Sequence, residues 1–169
     1  SIGKRGRLAQ QIGIVDGRVC IRLAKVAESL NCTQILDFGC GAGNFVLLAA
    51  HRTRLECIGY DIEDDLVRVG SQAIEALFRN VENPPVLITA DFLHVSGESM
   101  AKPFIYMCNQ KDAWPHEQVL KRLLAPKSFP IGTILATLVP VITGVPSETR
   151  AGRSVKCAMR YSTNKKRLL

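Results

Sequence analysis

Apolar positions recur along the chain with two periods. Ile14 to Leu30 places Val15, Val19, Leu23, Val26, Ala27 and Leu30 on one helical stripe, and Asn31 and Thr33 close it. Ile35, Leu36 and Phe38 then flank an acid, Asp37, in a short strand-like run. A glycine cluster follows, and Asn44 to His51 reads as a helix. Leu55 to Tyr60 predicts a second strand, and Leu66 to Val81 an amphipathic helix with Leu66, Val69, Ala73, Leu77 and Phe78 inward. Asn83-Pro84-Pro85 stops it. Val86–Thr89 and Pro103–Cys108 predict two further strands, with a helix at Glu117–Ala125 closed by Pro126. Thr133–Val139 predicts a fifth strand, and Lys156–Tyr161 an edge strand. Strands alternating with helices in this order imply an α/β, Rossmann-like architecture: a mostly parallel central sheet with helices on both faces.

The chemistry gathers at Gln34–Ala50, Q-I-L-D-F-G-C-G-A-G-N-F-V-L-L-A-A. A strand, a tight turn carrying Gly39, Gly41 and Gly43, and a helix bring bare backbone and free N–H groups to the strand ends. A dinucleotide fingerprint from Gly39 needs glycine at Asn44, and one from Gly41 needs it at Val46, so neither fits. No lysine follows the glycines, which excludes a Walker loop. Asp61 ends the second strand at the interval where an acid accepts ribose hydroxyls, although with Glu63, Asp64 and Asp65 it equally suits a helix start. Asp91, just after the third strand, reads as a ligand acceptor or as a turn residue.

The 169 residues fit one domain, divided into a basic segment with its covering helix (1–30), a core (31–149) and a basic strand and tail (150–169). The apolar run Phe129–Val145 is too short and too interrupted by proline and glycine for a membrane span. The chain opens on Ser1, which suggests removal of a leader or of a longer N-terminal region. The six cysteines form no C-x-x-C pair, which suits a reducing compartment without disulfides. Three scattered histidines point to no metal site. Residues 1–25 carry six basic side chains, Lys4, Arg5 and Arg7 among them, against one acid. Residues 150–169 carry seven, including Arg150, Arg153, Lys165, Lys166 and Arg167, and no acid. Two basic ends around an acidic body suit a polyanionic partner, DNA or RNA, or else a pair of solvated tails.

L-D-F-G-C-G-A-G resembles motif I of the class I S-adenosylmethionine-dependent methyltransferases, and the element order agrees over nearly the whole chain. Read with A-D-F-L at 90–93, I-Y-M-C-N-Q at 105–110 and the segment H-E-Q-V-L-K-R-L-L, it looks like the disruptor-of-telomeric-silencing (Dot) type of histone-lysine methyltransferase. That resemblance implies S-adenosylmethionine as cofactor. Asp37, Gly39, Gly41 and Asn44 would surround its methionine part, Asp61 would take its ribose, and Asp91 with Phe92 its adenine, with Phe38, Gly43, Ile62 and Asn109 also among the cofactor-binding residues. Asn109 would stand beside a lysine channel, with Gln110 as the second acceptor-positioning group.

The sequence departs from that type in four places. Gln110, Lys111 and Asp112 stand where it has aromatic residues, Asp61 where it has glutamate, no late tryptophan is present beyond Trp114, and the N-terminal helical region is short. The D/N-P-P-Y signature of base-amine methyltransferases is absent. The reading is a methyltransferase of a protein lysine on a basic, nucleic-acid-associated substrate such as a histone, in the nucleus. An RNA methyltransferase, a methyltransferase-like assembly factor and a mitochondrial location stand as alternatives.

Overall fold

The computed structural model describes residues 16–108, 125, 129–130, 132–138 and 156–157. Three helices, α1 (Gly17–Ser29), α2 (Asn44–Arg52) and α3 (Asp64–Leu77), alternate with β1 (Gln34–Phe38), β2 (Glu56–Asp61) and β3 (Val86–Thr89). A single 3-10 turn, Phe92–His94, leads to β4 (Pro103–Cys108); β5 (Ile134–Leu138) and the two-residue β6 (Lys156–Cys157) complete the sheet. The strand order is β3-β2-β1-β4-β5-β6, and every pairing is parallel. The order reverses between β1 and β4. In open parallel sheets the ligand crevice forms at that reversal, outside the carboxyl ends of the strands.

Alternate residues of the strands feed two cores. Ile35, Cys57, Leu87, Phe104, Tyr106, Ile134 and Ala136 meet α1, α2 and α3 on one face. Leu36, Phe38, Tyr60, Ile105, Met107 and Leu135 meet Phe92 on the other, with Leu93, Val95, Met100 and Phe129 against them. All three described helices thus lie on one face. Residues 117–124 of the helix expected at 117–125 and most of both basic segments (1–15, 150–155 and 158–169) lie outside the described residues, as does the end of the expected edge strand after Cys157.

Two helices sit rotated from their expected stripes. In α1 the buried residues are Cys20, Leu23, Ala24 and Ala27, while Leu30 is exposed. The small residues Cys20 and Ala24 form the contact face, a choice that a stripe of large aliphatics does not reveal. In α3 the buried residues are Val67, Gly70 and Ile74, whereas Val69 and Leu77 are 53% and 71% exposed. Gly70 explains the rotation. A Cβ there would lie 2.5 Å from the Ala42 carbonyl oxygen, so its absence lets the helix backbone close on the glycine loop.

Helix ends follow their local chemistry. The Asp16 carboxylate accepts from Arg18 N–H at 2.8 Å and caps α1. Asn31, at φ 54°, turns the chain out of that helix, a left-handed conformation that asparagine tolerates.

Candidate functional site

The glycine turn after β1 is built as its sequence requires. Gly39, Gly41 and Gly43 have φ of 81°, 54° and 78°, all in the left-handed region where a side chain is strained. Gly39 N–H and Cys40 N–H both donate to the Tyr60 carbonyl, at 2.8 and 3.1 Å, which pins the start of the loop to β2. Gly43 opens α2 without a side-chain cap. The first N–H groups of that helix therefore look for an acceptor outside it. Asn44, exposed, stands beside them.

Beneath the loop, three elements meet at bare backbone. Cβ atoms at Gly43, Gly59 and Gly70 would each fall within 2.9 Å of the Leu87 side chain. One leucine from the edge strand therefore wedges the loop, β2 and α3 together. Isolated glycines inside a strand and a helix were the sequence signal for this closeness.

Asp61, at the tip of β2, closes the site. Its Oδ2 accepts from Gly41 N–H at 2.7 Å and its Oδ1 from Glu63 N–H at 2.9 Å, so it both holds the loop and shapes the entry to α3. Each oxygen keeps a second lone pair for an incoming hydroxyl. Ile62, 68% exposed, stands next to it. The Asp61 carbonyl accepts from Ala90 N–H at 2.8 Å, which brings the strand end bearing Asp91 alongside. Asp91 accepts from Leu93 N–H at 2.9 Å and caps the 3-10 turn.

The aromatic residues go elsewhere. Phe92 is buried and stacks on Phe38 with centroids 5.0 Å apart and 14° between the rings. Phe38 in turn meets Tyr60 edge-on at 5.9 Å. Both side chains serve the second core, so backbone is what positions 38 and 92 turn toward the strand ends. Asn109 and Gln110 lie outside the described residues.

Asp37 is the electrostatic centre. It is 3% exposed and accepts no hydrogen bond from a described residue. Burial first, and then the charge on Asp61, push its carboxyl up to about 8. Three thiols, those of Cys20, Cys40 and Cys108, feel its charge. Burial and Asp37 raise Cys40 strongly and Cys20 to about 11, so both are neutral at physiological pH. Cys20, Cys32, Cys40, Cys57 and Cys108 are free thiols, and among the described residues no group of His, Cys, Asp and Glu is placed to hold a metal.

No protein-family model matches the sequence, and no curated protein matches it significantly. Solved structures do. An RNA methyltransferase of Salinibacter ruber, in complex with S-adenosyl-L-homocysteine, is similar at 18% identity and TM-score 0.54 over 71% of this chain and 73% of that one. A candidate S-adenosyl-L-methionine-dependent methyltransferase of Methanococcus maripaludis gives 12% identity and TM-score 0.55, covering 70% of this chain and 55% of the other. An O-methyltransferase of Thermotoga maritima, described as dependent on the same cofactor, gives 14% and 0.50, covering 79% and 48%. The chain thus spans about half the length of two of these three structures. The fold is α/β, of the class I methyltransferase kind.

Proposed function

We propose that this chain binds S-adenosylmethionine across the carboxyl ends of β1, β2 and β3 and transfers its methyl group. The observation that carries the reading is the hydrogen bond from Gly41 N–H to Asp61, which joins a bare glycine loop to a carboxylate with acceptor capacity to spare. The residues fit the group. The buried Asp37, lacking a described donor, suits the cofactor's ammonium, and the glycine loop with the start of α2 suits its carboxylate. Asp61 suits two ribose hydroxyls. Asp91 and exposed Ile62 suit the adenine amine and ring.

The bound cofactor would supply an electrophilic methyl group. The protein's own work is then to align an acceptor with it and exclude water. A lysine acceptor must first lose a proton, which costs roughly 4–5 kcal/mol at pH 7 from a reference pKa near 10.4. A narrow apolar channel lowers that cost by disfavouring the ammonium. We take a protein lysine on a basic, nucleic-acid-associated substrate as the acceptor. The Dot-type resemblance at 90–93 and 105–110 and the two basic ends support it, with Asn109 and Gln110 as the groups that position the amine. A nuclear location goes with that acceptor.

Transfer of radiolabelled methyl to histones, nucleosomes and ribosomal RNA tests the assignment. Label on histone lysine supports it, and label on RNA alone moves the acceptor to nucleic acid. Cofactor binding without label on any of the three would contradict both acceptors.

A further inference from the structure

We propose that the outer flank of α3 is a self-association surface, on which a second copy of this chain docks antiparallel across a two-fold axis beside Gln72.

Exposed apolar side chains gather around this helix. Among the described residues, every exposed large apolar side chain except Leu30 lies between Ile62 and Ile88. α3 itself supplies Val69 and Leu77, and the chain just before and just after it supplies Ile62 and Val81. Single apolar residues scattered over a surface are ordinary; a row along one helix calls for a partner. Leu66 and Ala73, both half-buried, fill the gaps. Positions 66, 69, 73 and 77 then recur at the three- and four-residue spacing of a helical stripe. The buried face of α3 is a different one, made of Val67, Gly70 and Ile74. It is that face, through Gly70, that meets the glycine loop and Leu87. The helix thus carries two apolar stripes, and the second faces solvent.

The order of charges along α3 selects a copy of the same helix as the occupant. Asp65, Gln72 and Arg79 follow one another at heptad spacing along one border of the second stripe, and all three are exposed. The acid stands in the first turn and the base just beyond the last. Laid antiparallel on itself, this row is complementary. Asp65 meets Arg79 of the partner subunit, and the two Gln72 amides face each other near the axis. The same alignment sets Leu66 against the partner's Leu77 and Val69 against the partner's Ala73. A parallel pair would instead oppose acid to acid and base to base. Self-complementarity is what a two-fold contact demands, because one patch serves as both halves of the interface.

Asp65 already accepts from Arg68 at 2.9 Å, with both side chains exposed. An ion pair of that kind contributes little, and the carboxylate has acceptor sites left for a second guanidinium. With 14 residues, α3 is about 21 Å long. A single helix pair of that length makes a small interface, so the dimer is a weak one, with a dissociation constant on the order of 10 μM.

Sedimentation equilibrium of the whole chain, from about 1 to about 300 μM and at low and high salt, tests the pairing. The wild type is expected to dimerise, and less tightly at high salt. Val69→Lys and Leu77→Lys should each raise the dissociation constant at least tenfold. Both positions are exposed, so the urea midpoint of the dilute protein should not move. Asp65→Arg and Arg79→Asp should each weaken the dimer about fivefold, and the double variant should regain wild-type affinity. A monomer at every concentration would overturn the proposal and leave the stripe to a foreign protein or to residues 1–15. A dimer indifferent to Leu77→Lys, or a double variant no tighter than its two parents, would overturn the antiparallel α3 contact.

Discussion

Gly41 N–H donates to the Asp61 carboxylate at 2.7 Å, and this one bond joins the middle of the glycine loop to the tip of the neighbouring strand. Asp61 therefore holds the loop, and its remaining lone pairs are the ones the proposed cofactor's diol would use. Asp61→Ala is expected to destabilise the fold by about 1–3 kcal/mol through the backbone donors it orphans. Urea unfolding measures that loss. Asp61→Asn keeps one acceptor oxygen and should fall between the two.

Gly70 tests the closeness of α3 to the loop. Gly70→Ala puts a methyl 2.5 Å from the Ala42 carbonyl oxygen, which is backbone and cannot swing aside. We expect a loss of about 1–3 kcal/mol from overpacking. Gly17→Ala is the control: its Cβ meets only Leu48, at 3.5 Å, and the change should be neutral or stabilising by up to about 1 kcal/mol. Equal effects of the two substitutions on the unfolding midpoint would argue against a pinned loop.

Asp37 makes stability depend on pH in a stated direction. Its native carboxyl is raised to about 8 from an ordinary 3.8, so between those values the native state holds a proton that the unfolded chain has lost. Stability from this group therefore falls as pH rises, by about 1.4 kcal/mol per unit, and levels off above about pH 8. Asp37→Asn removes that slope. Its stability advantage over wild type should be absent near pH 4 and grow up to pH 8. A constant difference across denaturant curves in that range would contradict the burial of an unpaired carboxyl.

The Phe38–Phe92 stack fastens the 3-10 turn, and with it Asp91, to the second core. Phe92→Ala should cost about 3–5 kcal/mol, and Phe92→Leu less. Both are read by thermal unfolding.

Much of this was legible in the chain because it rests on local rules. The glycine spacing forbade a dinucleotide loop and announced a turn at positive φ, and Asp61 fell at a strand tip because strand and helix lengths leave little choice. The rotation of α3 was hidden, since its contact face is set by Gly70, a residue without hydrophobicity. The core role of Phe38 and Phe92 was hidden for another reason. A sequence shows that an aromatic residue sits beside a site, but the sheet face it takes depends on register with neighbouring strands. Leu87 reads as an ordinary strand residue, because its meaning comes from the three glycines that lie against it.

The central claim is cofactor binding at the loop that Asp61 holds. Calorimetric titration of the protein with S-adenosylmethionine, repeated on Asp61→Ala, tests it most directly. The account predicts one site of about micromolar affinity, weakened at least tenfold by the substitution. Absence of binding in the wild type, or equal binding in both proteins, would contradict it.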